Sequence, residues 1–207
     1  MPLIRPSSHD VASESHPEQA HSLADLTVQL ASSDAGARRL AALEMLAHPK
    51  ASKVLLTHLK EEASATVREA IFTTLARLDD PAALSGLAEF LRSEDANLRN
   101  GAIEALKLTP EHTASVVPKL LSDPNSDVRI LTISILESLR HPSVEEWLVA
   151  VIENDSHLNV CGAALDLLVE VGSPSAAGAV ERLKARFPAE PYIQFAANLA
   201  LKRLKKG

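Results

Sequence analysis

The chain has 207 residues, of which 46% are hydrophobic and only 3% are aromatic. Ala and Leu dominate, a composition that favours thin layers of closely packed helices over a thick globular core. The net charge is −6, and residues 21–201 hold 16 basic and 24 acidic side chains, a net −8. An acidic body repels phosphate and therefore argues against nucleic-acid binding.

The chain carries no signal for secretion or for membrane insertion. Its N-terminal stretch MPLIRPSSHDVASESHPEQA lacks a continuous apolar run, and no stretch longer than eleven residues is free of charge. Cys161 stands alone, which excludes an intrachain disulfide and fits a reducing compartment. We therefore expect a cytoplasmic protein.

The two ends of the chain differ from its middle. Residues 1–20 are rich in Ser, Pro and His without periodicity, which predicts a disordered tail. HSLADLTVQL at 21–30 predicts a lone helix that covers the first repeat. PYIQFAANLALKRLKKG at the C-terminus predicts a final helix, whose lysines suit the negative end of the helix dipole.

An internal repeat runs between these ends. Five prolines recur at spacings of 32, 29, 32 and 32 residues: Pro49, Pro81, Pro110, Pro142 and Pro174. Four arginines recur at spacings of 30, 31 and 30 residues: Arg38, Arg68, Arg99 and Arg129. Cys161 and Gln194 continue this series. We call these six positions, the four arginines with Cys161 and Gln194, the ladder. A repeat of about 31 residues is typical of stacked helix pairs.

Each of the first five ladder residues opens the first helix of a pair, and this helix ends at the following proline. In the middle three repeats the third, fourth and seventh residues after Arg are small or apolar, which predicts one buried stripe: Ile71, Phe72, Leu75, Ala102, Ile103, Leu106, Thr132, Ile133 and Leu136. The second helix of each pair follows the proline. Its sixth position is always apolar: Leu55, Leu87, Val116, Leu148 and Val180. Pro118 falls inside one of these helices and predicts a break and a change of curvature.

These segments, such as VREAIFTTLARLDDP and VRILTISILESLRHP, resemble the short HEAT-like repeats of bacterial and archaeal proteins that are named after phycobilisome lyases. The resemblance covers about residues 21–205. It implies an all-α fold, a right-handed α-solenoid of five helix pairs with capping helices, which with the predicted tail divides the chain into residues 1–20 and 21–207. Such repeats serve many roles, so the fold alone does not identify a function.

The arginines of the ladder could form a binding stripe, but regular placement favours a structural role. Each guanidinium would pair with acids or loop carbonyls of a neighbouring repeat. The expected acids are Asp34, Asp95 and Asp127, which lie close in sequence to Arg38, Arg99 and Arg129.

The leading functional hypothesis is a non-enzymatic scaffold or adaptor that binds a partner protein on the surface formed by the second helices. Mixed charge there suits a protein partner. The expected contact residues are Lys53, Glu89, Arg92, Glu146, Trp147 and Arg182. Trp147 stands where other repeats have small or modest residues, so it either fills a local gap or anchors a partner.

The sequence predicts no catalytic, cofactor or metal site. His9, His16 and His21 lack zinc-like spacing, and His48 and His141 repeat one pre-proline position. Neither an HExxH motif nor the dipeptide His-Glu, in that order, occurs in the sequence. Cys161 has only His157 nearby as a conceivable base, so a small buried residue is the expected role. Two enzymatic alternatives remain, both suggested by resemblance: a bilin lyase-type protein and, with less support, a HEAT-like DNA glycosylase. Scarce aromatic residues argue against both.

Overall fold

A computed structural model describes residues 21–78 and 80–205, and the predicted N-terminal tail lies outside them. Within these ranges the chain forms thirteen α-helices and two short 3₁₀ turns, with no strand. The helices are α1 (Leu23–Leu30), α2 (Ala35–Glu44), α3 (Ser52–Leu59), α4 (Ala65–Arg77), α5 (Pro81–Phe90), α6 (Ala96–Lys107), α7 (Pro110–Ala114), α8 (Val117–Leu121), α9 (Ser126–Leu136), α10 (Val144–Asn154), α11 (Leu158–Val171), α12 (Ala177–Arg186) and α13 (Pro191–Leu204).

The helices pack in two layers. The first layer holds the helices that carry the ladder residues, which are α2, α4, α6, α9, α11 and α13, and each contacts the next in this order. The second layer holds α1 and the helices that follow the prolines, which are α3, α5, the pair α7 and α8, α10 and α12. Five helix pairs therefore stack between α1 and α13, as predicted, and the fold is an all-α solenoid. The handedness of its superhelix stays a prediction.

Short polar residues start the first-layer helices. The Asp34 side chain accepts the backbone N–H of Gly36 at 3.1 Å, and the Asp95 side chain accepts that of Asn97 at 2.8 Å. These contacts satisfy N–H groups that have no partner inside the helix. Pro81 and Pro110 mark the boundary between the two helices of a pair. Each follows the end of the first helix and is itself the first residue of the next helix.

Pro118 interrupts the second layer as predicted. Two five-residue helices, α7 and α8, replace the single helix of the other repeats, and Pro118 lies in the first turn of α8. Its ring cannot donate a backbone hydrogen bond and would clash within a continuous helix. A consequence lies at Val116, the sixth position after the proline, which is only partly buried where its counterparts are fully buried. The predicted change of curvature stays a prediction.

The core runs as one apolar cluster between the two layers. All nine residues of the predicted stripe are buried. Thr132 is accommodated there because its hydroxyl donates to the Val128 carbonyl at 2.7 Å within the same helix. The helical spacing of the apolar residues thus predicted the buried face correctly.

Candidate partner-binding surface

The ladder arginines are tied to the backbone of the loop before their own helix. Arg38 Nη1 donates to the Ser32 carbonyl at 2.9 Å, and Arg129 Nη1 donates to the Asp123 carbonyl at 2.7 Å. Arg99 Nη1 donates to the Ser93 carbonyl, and Arg68 donates through Nε to the Glu62 carbonyl, in each case six residues back. The repeated contact fixes each inter-repeat loop to the helix that follows it.

The guanidinium groups of Arg38 and Arg129 also reach forward to the next repeat. Arg38 binds both oxygens of the Glu62 carboxylate, with Nε and Nη2 at 2.8 and 2.9 Å. Arg129 binds Asp155 in the same two-pronged way at 2.6 and 3.0 Å. These pairs are largely buried, and a planar guanidinium matches a carboxylate better than an ammonium does. The ladder is thus structural, as the sequence favoured.

Among the described residues, none of the three acids expected from sequence proximity forms an ion pair with the arginine beside it in sequence. Asp34 caps α2 instead of pairing with Arg38, and the acid that binds Arg129 is Asp155, not Asp127. Asp95 does pair, but with Arg68 of the preceding repeat, at 3.2 Å. The physical reason is the difference in side-chain length. The long arginine side chain extends to the next loop, whereas the short Asp side chain at the helix start accepts hydrogen bonds from nearby backbone N–H groups.

Cys161 lies in the ladder position of α11 and is fully buried. Burial raises the pKa of its thiol, and the nearby Arg186 guanidinium opposes this only in part. His157, the one conceivable base suggested by the sequence, is exposed at the start of α11. A buried thiol held in its protonated form is a poor nucleophile.

The residues predicted to contact a partner lie on second-layer helices or at their ends. Lys53, Glu89, Arg92, Glu146 and Arg182 are exposed, and Trp147 is partly buried. Two of these side chains also bridge repeats, which the sequence did not reveal. Arg92 pairs with the buried Asp123 and with Glu89, and Arg182 pairs with Glu153.

Trp147 combines packing with exposure. Its indole stacks on the His141 ring, with 5.0 Å between ring centroids and 8° between ring planes. The indole packs against the core and also lines a groove of about 480 Å³ between the α8 and α10 ends. Pro118, Leu121 and Asn154 line the same groove. The sequence did not predict the stack with His141, although His141 and Trp147 are six residues apart around the turn at Pro142 and could have suggested it.

The described residues hold no group of three or more His, Cys, Asp or Glu side chains that could bind a metal ion. None of the described helices has the length and apolar character required to cross a bilayer.

The chain belongs to the HEAT-repeat family, whose model matches residues 23–107 and 113–202. No curated protein matches it. Among solved structures, it is similar to the complex of CpcE and CpcF of phycocyanin lyase from Nostoc, with 19% identity over 96% of this chain and 100% of that chain, at a TM-score of 0.38. An engineered protein matches with 19% identity over 90% of this chain and 100% of its own, at a TM-score of 0.43. A designed armadillo repeat protein matches with 16% identity over 88% of this chain and 100% of its own, at a TM-score of 0.39.

Proposed function

We propose that this protein is a non-enzymatic interaction scaffold that holds a partner protein on the outer surface of its second layer. Solenoids of stacked helix pairs expose extended surfaces of this kind. The observation that carries the proposal is the groove beside Trp147, where a partly exposed indole, an apolar wall and a polar rim meet.

The groove lies beside the break in the second layer, and Pro118 is one of its lining residues. The short helix α8 leaves space next to α10, and the Trp147 indole lies at its edge with one face supported by His141. A ring fixed in this way loses little side-chain entropy when a partner packs on it, which is why Trp is common at binding hot spots.

The charged residues around the groove indicate which kind of partner segment would bind there. Glu146 is exposed next to Trp147, and Glu153 lies further along the same helix. The groove's own acids, Asp123 and Asp155, are already neutralised by Arg92 and Arg129. A segment with an apolar side chain for the groove and a basic residue for Glu146 fits this surface best.

The test is affinity purification of the tagged chain from its native host, followed by mass spectrometry and an absorption spectrum of the eluate. We expect a stoichiometric protein that the double variant Trp147→Ser with Glu146→Lys no longer retains. Asn100→Lys is the matched control, because Asn100 is an exposed residue of the first layer. The control is expected to retain the partner.

Two results would contradict the proposal. Loss of the partner in Asn100→Lys but not in the double variant would move binding to the first layer. Bound pigment without a protein partner would favour the bilin lyase alternative, and bound nucleic acid would favour the glycosylase alternative.

A further inference from the structure

Both ends of the described solenoid expose apolar side chains on the first layer. Leu40 on α2 is 50% exposed, and Phe195 and Leu199 on α13 are 70% and 48% exposed. The terminal repeats of soluble solenoids normally present a polar outer face. Apolar residues at both ends therefore call for a partner surface.

The internal junctions show which face Leu40 occupies. The residue two positions after Arg99 faces the preceding repeat, because Gly101 lies directly against the Phe72 ring of α4. Ala70 and Ala196 stand at the same offset from their ladder residues and are 4% and 3% exposed. Leu40 follows Arg38 by the same two positions. It lies on the face of α2 that would meet a preceding first-layer helix.

The junction between α11 and α13 shows the complementary face. Gly162, one residue after the ladder position of α11, lies so close to Tyr192 that an added Cβ would be 2.8 Å from its ring. Asp166, five residues after the ladder position, accepts the Tyr192 hydroxyl. Offsets of one and five therefore face the following repeat. Phe195 and Leu199 stand at these offsets from Gln194.

The geometry points to head-to-tail self-association, in which α13 of one copy packs on α2 of a second copy as α11 packs on α13 within the chain. The two faces are also complementary in charge. Lys202 stands eight residues after Gln194, and Glu44 stands six residues after Arg38. At the internal junction of α9 with α11 the residues at the same two offsets are Glu137, directly after α9, and Leu167 in α11. These two residues line one shared groove. Lys202 would therefore lie near Glu44.

A contact between two different faces leaves one face of each kind free, so it can propagate. The weight-average mass of the chain should accordingly rise with concentration above the monomer value of 22.2 kDa in analytical ultracentrifugation. Leu40→Glu and Phe195→Glu should each remain monomeric, because each lacks one of the two faces. An equimolar mixture of the two variants should form a dimer and nothing larger, since each variant supplies the face that the other lacks and the dimer has no intact face left.

Leu108→Glu is the matched control, because Leu108 is an equally exposed apolar residue in the middle of the array. It should associate like the unmodified chain. Far-UV circular dichroism checks the helical content, and Leu40→Gln and Phe195→Gln replace the charged variants if either loses it. A chain that stays monomeric at all concentrations overturns the inference. So does association that only one of the two substitutions abolishes, or a mixture that remains monomeric. The inference does not depend on the proposed second-layer partner.

Discussion

The guanidinium of Arg186 lies against the sulfur of Cys161, with Nη2 3.2 Å from Sγ, and the same Nη2 donates to the Asp155 carbonyl at 2.7 Å. That carbonyl is six residues before Cys161 and is the one that a ladder arginine at this position would bind. The thiol, which is a weaker donor than a guanidinium, also donates to this carbonyl, at 3.2 Å. An arginine 25 residues further along the chain thus supplies the contact that the fifth repeat lacks.

Arg186 should consequently contribute more to stability than its exposure suggests. Arg186→Ala leaves the carbonyls of Asp155 and Glu153 without this donor, and we expect the free energy of unfolding to fall by about 1 kcal/mol. Arg182→Ala is the control. Within the described part of the chain, the hydrogen bonds of Arg182 all go to the Glu153 carboxylate, and loss of this exposed ion pair should cost less than about 0.5 kcal/mol. Urea denaturation measures both, and equal losses would contradict the ladder role of Arg186.

Glu62 should make the stability of the chain depend on acid. The hydrogen bonds from Arg38, helped by the Ser64 N–H and by His58, lower the pKa of this buried carboxyl from 4.5 to about 2. A lowered pKa in the folded state stabilises the fold above the unfolded value, and this contribution is lost as the pH falls from about 4.5 to about 2.

Glu62→Gln should therefore lower the free energy of unfolding by about 2 kcal/mol at pH 7. The difference between variant and unmodified chain should vanish towards pH 2. Glu61→Gln, at the exposed neighbouring position, should leave the pH profile unchanged. Denaturant titrations at pH 7, 4 and 2.5 measure the profile. A Glu62→Gln variant that keeps the full acid dependence would show that other carboxyls cause it.

The contact of Gly101 with Phe72 should make a small substitution costly. A Cβ at Gly101 would overlap the Phe72 ring, which is held edge-on against Phe90 with 6.3 Å between ring centroids. Gly101→Ala should thus destabilise by about 1–3 kcal/mol, although alanine for glycine in a helix usually gains about 0.5–1 kcal/mol.

A double-mutant cycle tests the cause of this cost. Phe72→Leu removes the ring atoms that the new Cβ would meet, so Gly101→Ala should cost less in that background, with a coupling above about 0.5 kcal/mol. Gly36→Ala is the control, because a Cβ there makes an ordinary contact of 3.4 Å with Asp34. Additive effects at Gly101 and Phe72 would rule out the steric explanation.

The single Trp147 makes the second-layer groove visible by fluorescence. His141→Ala removes the ring that covers one indole face, so we expect a red-shifted emission and stronger quenching by acrylamide. His48→Ala changes the equivalent pre-proline position of the first repeat and should alter neither. An unchanged spectrum in His141→Ala would mean that the stack does not persist in solution.

The sequence by itself predicted the helix pairs and the broken helix of the second layer. The recurrence of Arg38, Arg68, Arg99 and Arg129 with the prolines predicted five helix pairs, and Pro118 predicted the broken helix. These features depend on backbone angles and on spacings of three or four residues, which the sequence specifies directly.

The contacts between repeats were decided by the tertiary structure. Asp155 rather than Asp127 binds Arg129, Arg186 covers Cys161, and Leu40 and Phe195 stay exposed on the first and last first-layer helices. Which atoms meet across a junction depends on how two packed helices and a loop place side chains that are 24–33 residues apart. Sequence periodicity determined that the repeats stack, whereas the packed loops determined which side chain completes each junction.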